Sequence, residues 1–216
     1  MKKINKGQLK QLVLRGITTE ELKKYDYSNI EDMGYIFFGC RSLASIPKID
    51  TSRVINMRSM FEGCVSLISI PHLDTSNVSD MCYMFYNCTL LTSIPHLDTS
   101  NVSDMNNMFY NCRSLTSIPH LDTSNVVNMN NMFCECKSLV SIPELNASNV
   151  TDMKYMFYNC CSLISIPELN TSNVINMHDM FLWCSLLENI DFYDSRINYN
   201  EIGSQKLKEN QPEYFI

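Results

Sequence analysis

Residues 77–100 read NVSDMCYMFYNCTLLTSIPHLDTS, and residues 101–124 read NVSDMNNMFYNCRSLTSIPHLDTS, so the two stretches differ at only 4 of 24 positions. A proline marks the same place in successive units without any insertion: Pro47, Pro71, Pro95, Pro119, Pro143 and Pro167. One such unit is too small to bury its own apolar residues, whereas stacked units share a continuous core. The repetition therefore predicts a solenoid of about seven 24-residue units over residues 26–193.

Each unit divides into two halves. In the first half, apolar residues recur at helical spacing at Val78, Met81, Phe85 and Cys88. Asn77 is a good helix N-cap, and Asp80 three residues later resembles a capping box with a shorter acid. This spacing predicts a helix over the first half. The second half, LTSIPHLDTS, contains a proline and is too short for a helix, so a short strand or extended arm with an Asp-Thr-Ser turn fits it best.

The ten cysteines are expected to be reduced. Seven of them recur once per unit, as a buried apolar position would: Cys40, Cys64, Cys88, Cys112, Cys136, Cys160 and Cys184. If the first halves are helices, neighbouring helix axes lie about 8–10 Å apart, which exceeds the roughly 7 Å Cα separation that a disulfide tolerates. A tighter turn in place of the helix would weaken this geometric argument. A zinc site is not supported, since the sequence contains no C-x-x-C pair.

The unit C-x-S-L-x-S-I-P-x-L-D-T-S-N-V-x-D-M-x-x-M-F-x-x-C resembles the BspA-like leucine-rich repeat, in particular the "DTSNVTDMSYMF" type found in bacterial surface proteins. The resemblance covers 168 of 216 residues. It implies an α/β leucine-rich-repeat solenoid that binds a partner and has no shared catalytic residues. Surface members of this family carry export signals or lipid anchors, which this sequence does not show.

The two ends of the chain depart from the repeat. Residues 1–25 contain apolar residues at near-helical spacing and the sequence Thr18-x-x-Glu21, a capping box, and we predict a helical N-terminal cap. Residues 26–193 form the predicted leucine-rich-repeat solenoid. Residues 194–216 lose the repeat and are predicted to form an irregular C-terminal cap and tail.

The charge distribution constrains the class of partner. Residues 1–24 carry a charge of about +5, and the remainder carries −11, within a net charge of −6. An acidic body argues against direct binding of nucleic acid along the repeats and favours a protein partner. With no signal peptide, lipobox or membrane span in the sequence, we expect a cytoplasmic protein, although the family resemblance also allows the cell surface.

Positions that repeat in place but vary in chemistry are the candidates for partner contact. The residue after each proline changes from basic to acidic along the chain: Lys48, His72, His96, His120, Glu144 and Glu168. An aromatic set lies near the repeating cysteine, and its rings either contact a partner or simply cover the flank of the solenoid: Tyr86, Tyr110, Tyr158 and Trp183. Three aligned histidines also suggest a metal or a pH sensor, but copied repeats supply such histidines without any metal, and plain exposed turn residues are the other alternative.

Catalysis has no support in the sequence. The carboxylates Asp74, Asp98 and Asp122 recur as turn residues do, no unique nucleophile–base set is present, and the six glycines form no phosphate-binding loop. We therefore predict a non-catalytic protein-binding repeat protein that needs no cofactor or metal. The alternative is a small acidic intracellular inhibitor, of the phage or mobile-element type, that docks on a basic, nucleic-acid-handling enzyme.

Overall fold

The structure, a computed structural model, describes residues 1–215 and shows successive units stacked in parallel. Equivalent residues one unit apart form parallel backbone bridges: Asp32–Asn56, Asn56–Asp80, Asp104–Asn128, Asn128–Asp152 and Asp152–Asn176. Each bridge joins residues 24 apart, which is the sequence period. The repeats therefore form a solenoid in which each unit contacts its neighbours along the chain.

Regular secondary structure lies mostly outside the repeats. At the N-terminus, strand β1 (Lys2–Lys3) pairs in parallel with strand β2 (Tyr25–Asp26) and precedes helices α1 (Lys6–Leu14) and α2 (Thr19–Leu22). Within the repeats, strand β3 (Ser165–Ile166) pairs in parallel with strand β4 (Asn189–Ile190). A 3₁₀ helix (Tyr199–Glu201), helix α3 (Gln205–Asn210) and a second 3₁₀ helix (Pro212–Phe215) follow. No helix within residues 1–215 has the length and apolarity to cross a membrane.

The predicted helix in the first half of each unit is wrong. Residues 82–87 form a run of tight turns in which Tyr83 and Asn87 have φ angles of 60° and 61°. Residues at alternate positions use their N–H groups differently. The Tyr86 N–H donates to the Tyr83 carbonyl within the unit at 3.0 Å, whereas the Phe85 N–H donates to the Met108 carbonyl of the next unit at 2.9 Å.

The unit height explains why turns replace the helix. Helices pack about 8–10 Å apart, whereas parallel extended chains lie about 4.8 Å apart. A helix in every unit would force the two halves of the solenoid to rise by different amounts. The turns remove this mismatch, because they donate half of their N–H groups to the next unit and so stack at the same small spacing as the extended arms.

The positive φ angles of these turns are the left-handed backbone conformation, which glycine and asparagine adopt most easily. The sequence signal for it is a Gly or Asn directly before most of the repeating cysteines: Gly39, Gly63, Asn87, Asn111 and Asn159.

A phenylalanine ladder forms the centre of the core. Seven fully buried rings stack in order along the solenoid: Phe37, Phe61, Phe85, Phe109, Phe133, Phe157 and Phe181. Neighbouring ring centroids lie 5.5–5.6 Å apart, with interplanar angles of 2–22°. Methionine, leucine, isoleucine and valine ladders surround the rings, so the apolar positions of the sequence are the core positions of the structure.

The repeating cysteines form a second ladder. The Cys112 Sγ–H donates to the Phe85 carbonyl of the preceding unit at 3.1 Å, and the same bond recurs at Cys64, Cys88, Cys136, Cys160 and Cys184. All ten cysteines are free thiols in the structure. The helix-spacing argument from the sequence does not explain this, because no helices lie there. Instead, each of these six thiols is used in a hydrogen bond between neighbouring units.

The terminal segments pack on the two ends of the repeats. Leu9 and Val13 of α1 and Leu22 of α2 are buried in the common core. Asn5 and Thr18 each form a complete capping box at the start of their helix. At the other end, four side chains bind backbone groups of residues 187–190: Ser204, Asn210, Gln211 and Tyr214.

The stability of the fold should depend on the phenylalanine ladder. We expect Phe109→Ala to lower the free energy of unfolding by about 3–5 kcal/mol, because it leaves a cavity between two stacked rings. Phe38→Ala is the matched control, since that ring is 49% exposed and should cost less than about 1 kcal/mol. Urea unfolding followed by circular dichroism measures both variants, and equal losses would contradict a buried ring ladder.

The buried thiols should make the fold sensitive to alkali. Burial raises the pKa of the Cys64 thiol to about 12, and it also raises the pKa of Cys88, Cys112 and Cys160. A thiol whose pKa is higher in the folded chain contributes stability that is complete below the unfolded pKa of about 8.5 and is lost as pH rises towards the folded value. Between these two pKa values, each thiol lowers the free energy of unfolding by about 1.4 kcal/mol per pH unit.

Urea unfolding at pH 8 and at pH 10 tests this dependence. Stability should fall steeply over that interval, and the fall should be smaller by one thiol's contribution in Cys112→Ala. A free energy of unfolding that stays constant between the two pH values would contradict this prediction, because it would show that folding does not raise the pKa of the thiols.

Candidate protein-contact surfaces

The residues that follow the prolines form one exposed row. Lys48, the three histidines, Glu144 and Glu168 are all exposed, as the sequence suggests. The row stands outside the core because its neighbours point inward: Ile94 and Leu97, on either side of Pro95 and His96, are buried. None of the three histidines makes a hydrogen bond or ion pair within residues 1–215, so their rings are available to solvent or to a partner.

A second row of acids runs beside the histidines. The Asp98 carboxylate accepts hydrogen bonds from the Ser100 N–H at 3.1 Å and the Ser100 hydroxyl at 2.7 Å. These bonds lower the pKa of Asp98, and serine bonds do the same for Asp74 and Asp122. The three carboxylates are therefore ionised near neutral pH. They hold an Asx turn in place and do not form an acid–base pair.

The position of the acid changes along the solenoid. Two units carry glutamate directly after the proline, at Glu144 and Glu168, and these units have Asn146 and Asn170 where the others have aspartate. Asn146 accepts the same two serine bonds, at 3.1 and 2.7 Å, so the turn is unchanged. The surface thus keeps one carboxylate per unit while its chemistry changes from histidine–aspartate to glutamate–asparagine.

Shallow depressions occur at both ends of this surface. One of ≈ 450 Å³ lies over His120, Glu144 and Glu168, and another of ≈ 680 Å³ lies over Lys48 and His72 and reaches helix α2. Both are open to solvent, and most of the residues that line them are polar. Neither has the enclosed apolar lining typical of a small-molecule site.

Aromatic side chains cover another side of the solenoid, which we call the aromatic flank. It comprises Tyr83, Tyr86, Tyr110, Tyr155, Tyr158 and Trp183. The Tyr86 and Tyr110 rings stack with centroids 4.6 Å apart and an interplanar angle of 8°. The Tyr158 and Trp183 rings lie 5.1 Å apart. Each ring is held by a neighbouring ring or by the turn beneath it, and the tyrosines are partly exposed whereas Trp183 is 53% exposed.

Cations of the chain itself lie on this flank. The Arg58 guanidinium is 5.3 Å from the centroid of the Tyr83 ring, and the Lys154 ammonium is 4.8 Å from that of Tyr155. Burial, followed by the charge of Glu62, raises the pKa of the Tyr86 hydroxyl above its ordinary value. The Tyr86 hydroxyl is therefore a neutral hydrogen-bonding group at physiological pH.

The structure places the sequence-predicted residues on two separate surfaces. The post-proline row and the aromatic flank share no hydrogen bond or ring contact within residues 1–215. The sequence identified Tyr86, Tyr110, Tyr158 and Trp183, but it missed Tyr83 and Tyr155. Both missed residues occupy the left-handed position two residues after the first methionine of their units, with φ of 60° and 55°, which the helix interpretation concealed.

Metal binding by the histidine row receives no support from the geometry. Within residues 1–215, no group of three or more His, Cys, Asp or Glu side chains is placed to hold a metal ion.

Comparison with solved structures identifies the architecture. The chain is similar to the leucine-rich repeat protein of T. pallidum, with 20% identity and a TM-score of 0.50 over 71% of this chain and 69% of that one. It is also similar to a leucine-rich repeat protein from Eubacterium ventriosum, with 20% identity and a TM-score of 0.53 over 79% of this chain. The chain spans only 43% of the length of the second protein. These likenesses show a leucine-rich-repeat solenoid.

Comparison with curated proteins gives no match. The family described as "Mycoplasma protein of unknown function, DUF285" matches residues 8–114 and again residues 90–193, which together include all of residues 26–193. The chain belongs to this DUF285 family.

Proposed function

We propose that this protein is a non-catalytic recognition protein that binds a partner protein through the aromatic flank. The observation that carries the proposal is the row of partly exposed rings that contact one another, in particular Tyr86 on Tyr110 and Tyr158 against Trp183. Tyrosine, tryptophan and arginine are the residues most enriched at binding hot spots. Rings that are already ordered lose little conformational entropy when a partner binds.

The repeat unit supports a more specific assignment within the leucine-rich-repeat class. We propose the BspA-like type, with seven units over residues 26–193, an N-terminal cap in residues 1–25 and a C-terminal cap from residue 194. The buried side chains of α1 and α2, and the four polar side chains that bind residues 187–190, support the two caps.

A second candidate function uses the post-proline row. The carboxylates of its units are exposed or partly exposed, and none belongs to an ion pair within residues 1–215: Asp74, Asp98, Asp122, Glu144 and Glu168. An unpaired acidic row suits a basic partner and would speed its association at low salt. This observation favours the inhibitor alternative, in which the protein docks on a basic enzyme.

Paired surface variants distinguish the two functions. The first variant carries Tyr86→Ser, Tyr110→Ser and Tyr158→Ser, and the second carries Glu144→Gln, Glu168→Gln and Asp98→Asn. Asp98→Asn should keep its turn, because asparagine already serves at Asn146 and Asn170. Each variant is used as bait in a lysate of the source organism, and captured proteins are quantified by mass spectrometry against wild type.

We expect the tyrosine variant to lose at least tenfold of a specifically captured partner, whereas the acidic-row variant keeps it. Circular dichroism verifies that both variants are folded. Capture that survives the tyrosine changes but is lost with the acidic changes would assign binding to the post-proline row, and capture unchanged in both would refute both surfaces.

A further inference from the structure

The row of tyrosines in the aromatic flank is interrupted at one unit. Tyr86, Tyr110 and Tyr158 occupy equivalent positions, and Cys134 takes the same position between Tyr110 and Tyr158. Tyr110 stacks on Tyr86, and Tyr158 contacts Trp183, but no ring contact joins Tyr110 to Tyr158 within residues 1–215. Cys134 is only 4% exposed, and the Tyr110 hydroxyl lies within hydrogen-bonding reach of its thiol.

The solenoid spacing sets the width of this interruption. Equivalent residues two units apart are separated by about 10 Å, twice the distance between parallel chains. A planar group inserted midway would lie about 5 Å from each tyrosine ring, within the range for both ring stacking and a cation–π contact. One planar group at this place would therefore continue the stack from Tyr86 to Trp183.

The same unit departs from its neighbours at the next residue. Glu135 follows Cys134 with φ 64°, where the flanking units have Asn111 and Asn159. Glutamate has no conformational preference for this left-handed backbone, whereas glycine and asparagine tolerate it. Two adjacent changes thus occur together in one unit: a ring is removed, and a carboxylate is placed beside the gap at a conformational cost.

The Glu135 carboxylate is positioned next to both walls of the gap. Its Oε1 accepts a hydrogen bond from Asn159 at 2.9 Å, and its Oε2 lies 3.2 Å from the Lys137 ammonium. Its negative charge contributes, after burial, to the raised pKa of the Tyr110 and Tyr158 hydroxyls. Each carboxylate oxygen has a second lone pair, so the group can accept further hydrogen bonds from a cation that enters the gap.

A guanidinium matches these features better than a neutral ring does. It is planar, it stacks on aromatic faces, and its fork of N–H groups binds a carboxylate. The flank already shows this chemistry, because Arg58 lies over Tyr83 and Lys154 over Tyr155. We propose that an arginine side chain of the partner protein inserts between Tyr110 and Tyr158, above Cys134, and donates hydrogen bonds to Glu135. This inference rests on the proposed recognition function and specifies the chemistry of the partner.

The protein contains its own reporter for the test. Trp183 is the only tryptophan, and its ring lies 5.1 Å from Tyr158, one wall of the gap. Tryptophan fluorescence is therefore titrated with the peptide acetyl-Gly-Arg-Gly-amide, and in parallel with the lysine and phenylalanine peptides of the same form. We expect a saturable change with the arginine peptide and at least tenfold weaker binding of the other two.

Three variants locate the binding. Cys134→Tyr fills the gap with the side chain that neighbouring units carry, and it should abolish the response. Glu62→Tyr is the matched control, because it adds the same side chain in the same row at a unit outside the gap, and it should retain the response. Glu135→Gln keeps the shape but removes the charge, and it should weaken the arginine peptide about tenfold. Since Glu135→Gln adds no bulk, it tests the proposal even if Cys134→Tyr fails to fold.

The proposal is overturned if the arginine peptide gives no saturable response, or if binding persists in a folded Cys134→Tyr. Equal binding of the lysine peptide, or stronger binding of the phenylalanine peptide, overturns the guanidinium assignment. The capture experiment distinguishes a failure of this inference from a failure of the proposed recognition function on which it rests. A partner lost with the three tyrosine changes but kept with Cys134→Tyr refutes only the arginine site, whereas a partner kept with both refutes recognition by this flank.

Discussion

Backbone hydrogen bonding between units is the constraint on which the rest of the structure depends. In each run of turns, N–H groups at alternate positions cross to a carbonyl of the next unit, as Phe85 does to Met108 and Phe109 to Met132, both at 2.9 Å. This pattern fixes the rise between units at a value close to that of parallel strands. Every side chain must then stack on its equivalent at about 5 Å. A flat ring satisfies this spacing well, and the parallel phenylalanine ladder follows from it.

The same spacing explains what the sequence could and could not predict. The period, the solenoid and the buried identities of Val78, Met81, Phe85 and Cys88 follow from the repeat pattern, because any stacked unit must bury the same apolar positions. The local backbone does not follow from it. Apolar residues three and four apart are typical of a helix, but a succession of tight turns also brings them to one side. The recurring Gly and Asn before the cysteines distinguish the two cases.

The candidate surfaces were predictable to different extents for a related reason. The post-proline row lies on an extended arm in which every third residue is buried, as at Leu91, Ile94 and Leu97, and all six predicted residues are exposed. The aromatic flank lies on the turns, where a helix was predicted, and a wrong backbone conformation also predicts the wrong neighbours for each side chain. Tyr86 and Trp183 were identified from their positions in the repeat alone, close to the repeating cysteine. Tyr83 was missed, because its orientation depends on a positive φ that a helix does not contain. The gap at Cys134 is also invisible without the stack on either side of it.

The left-handed positions link the scaffold to the surface. Each unit needs two such residues, and glycine or asparagine satisfies them at the lowest cost. Glu135, Tyr155 and Trp183 occupy these positions with φ of 64°, 55° and 66°, at roughly 1 kcal/mol each relative to glycine. At Tyr155, part of this cost is offset by contacts of the ring with Lys154 and Tyr158. At Trp183, it is offset by the contact with Tyr158. The Glu135 side chain has polar partners instead, in Asn159 and Lys137. A partner group bound at the interrupted stack between Tyr110 and Tyr158 would offset the rest of this cost.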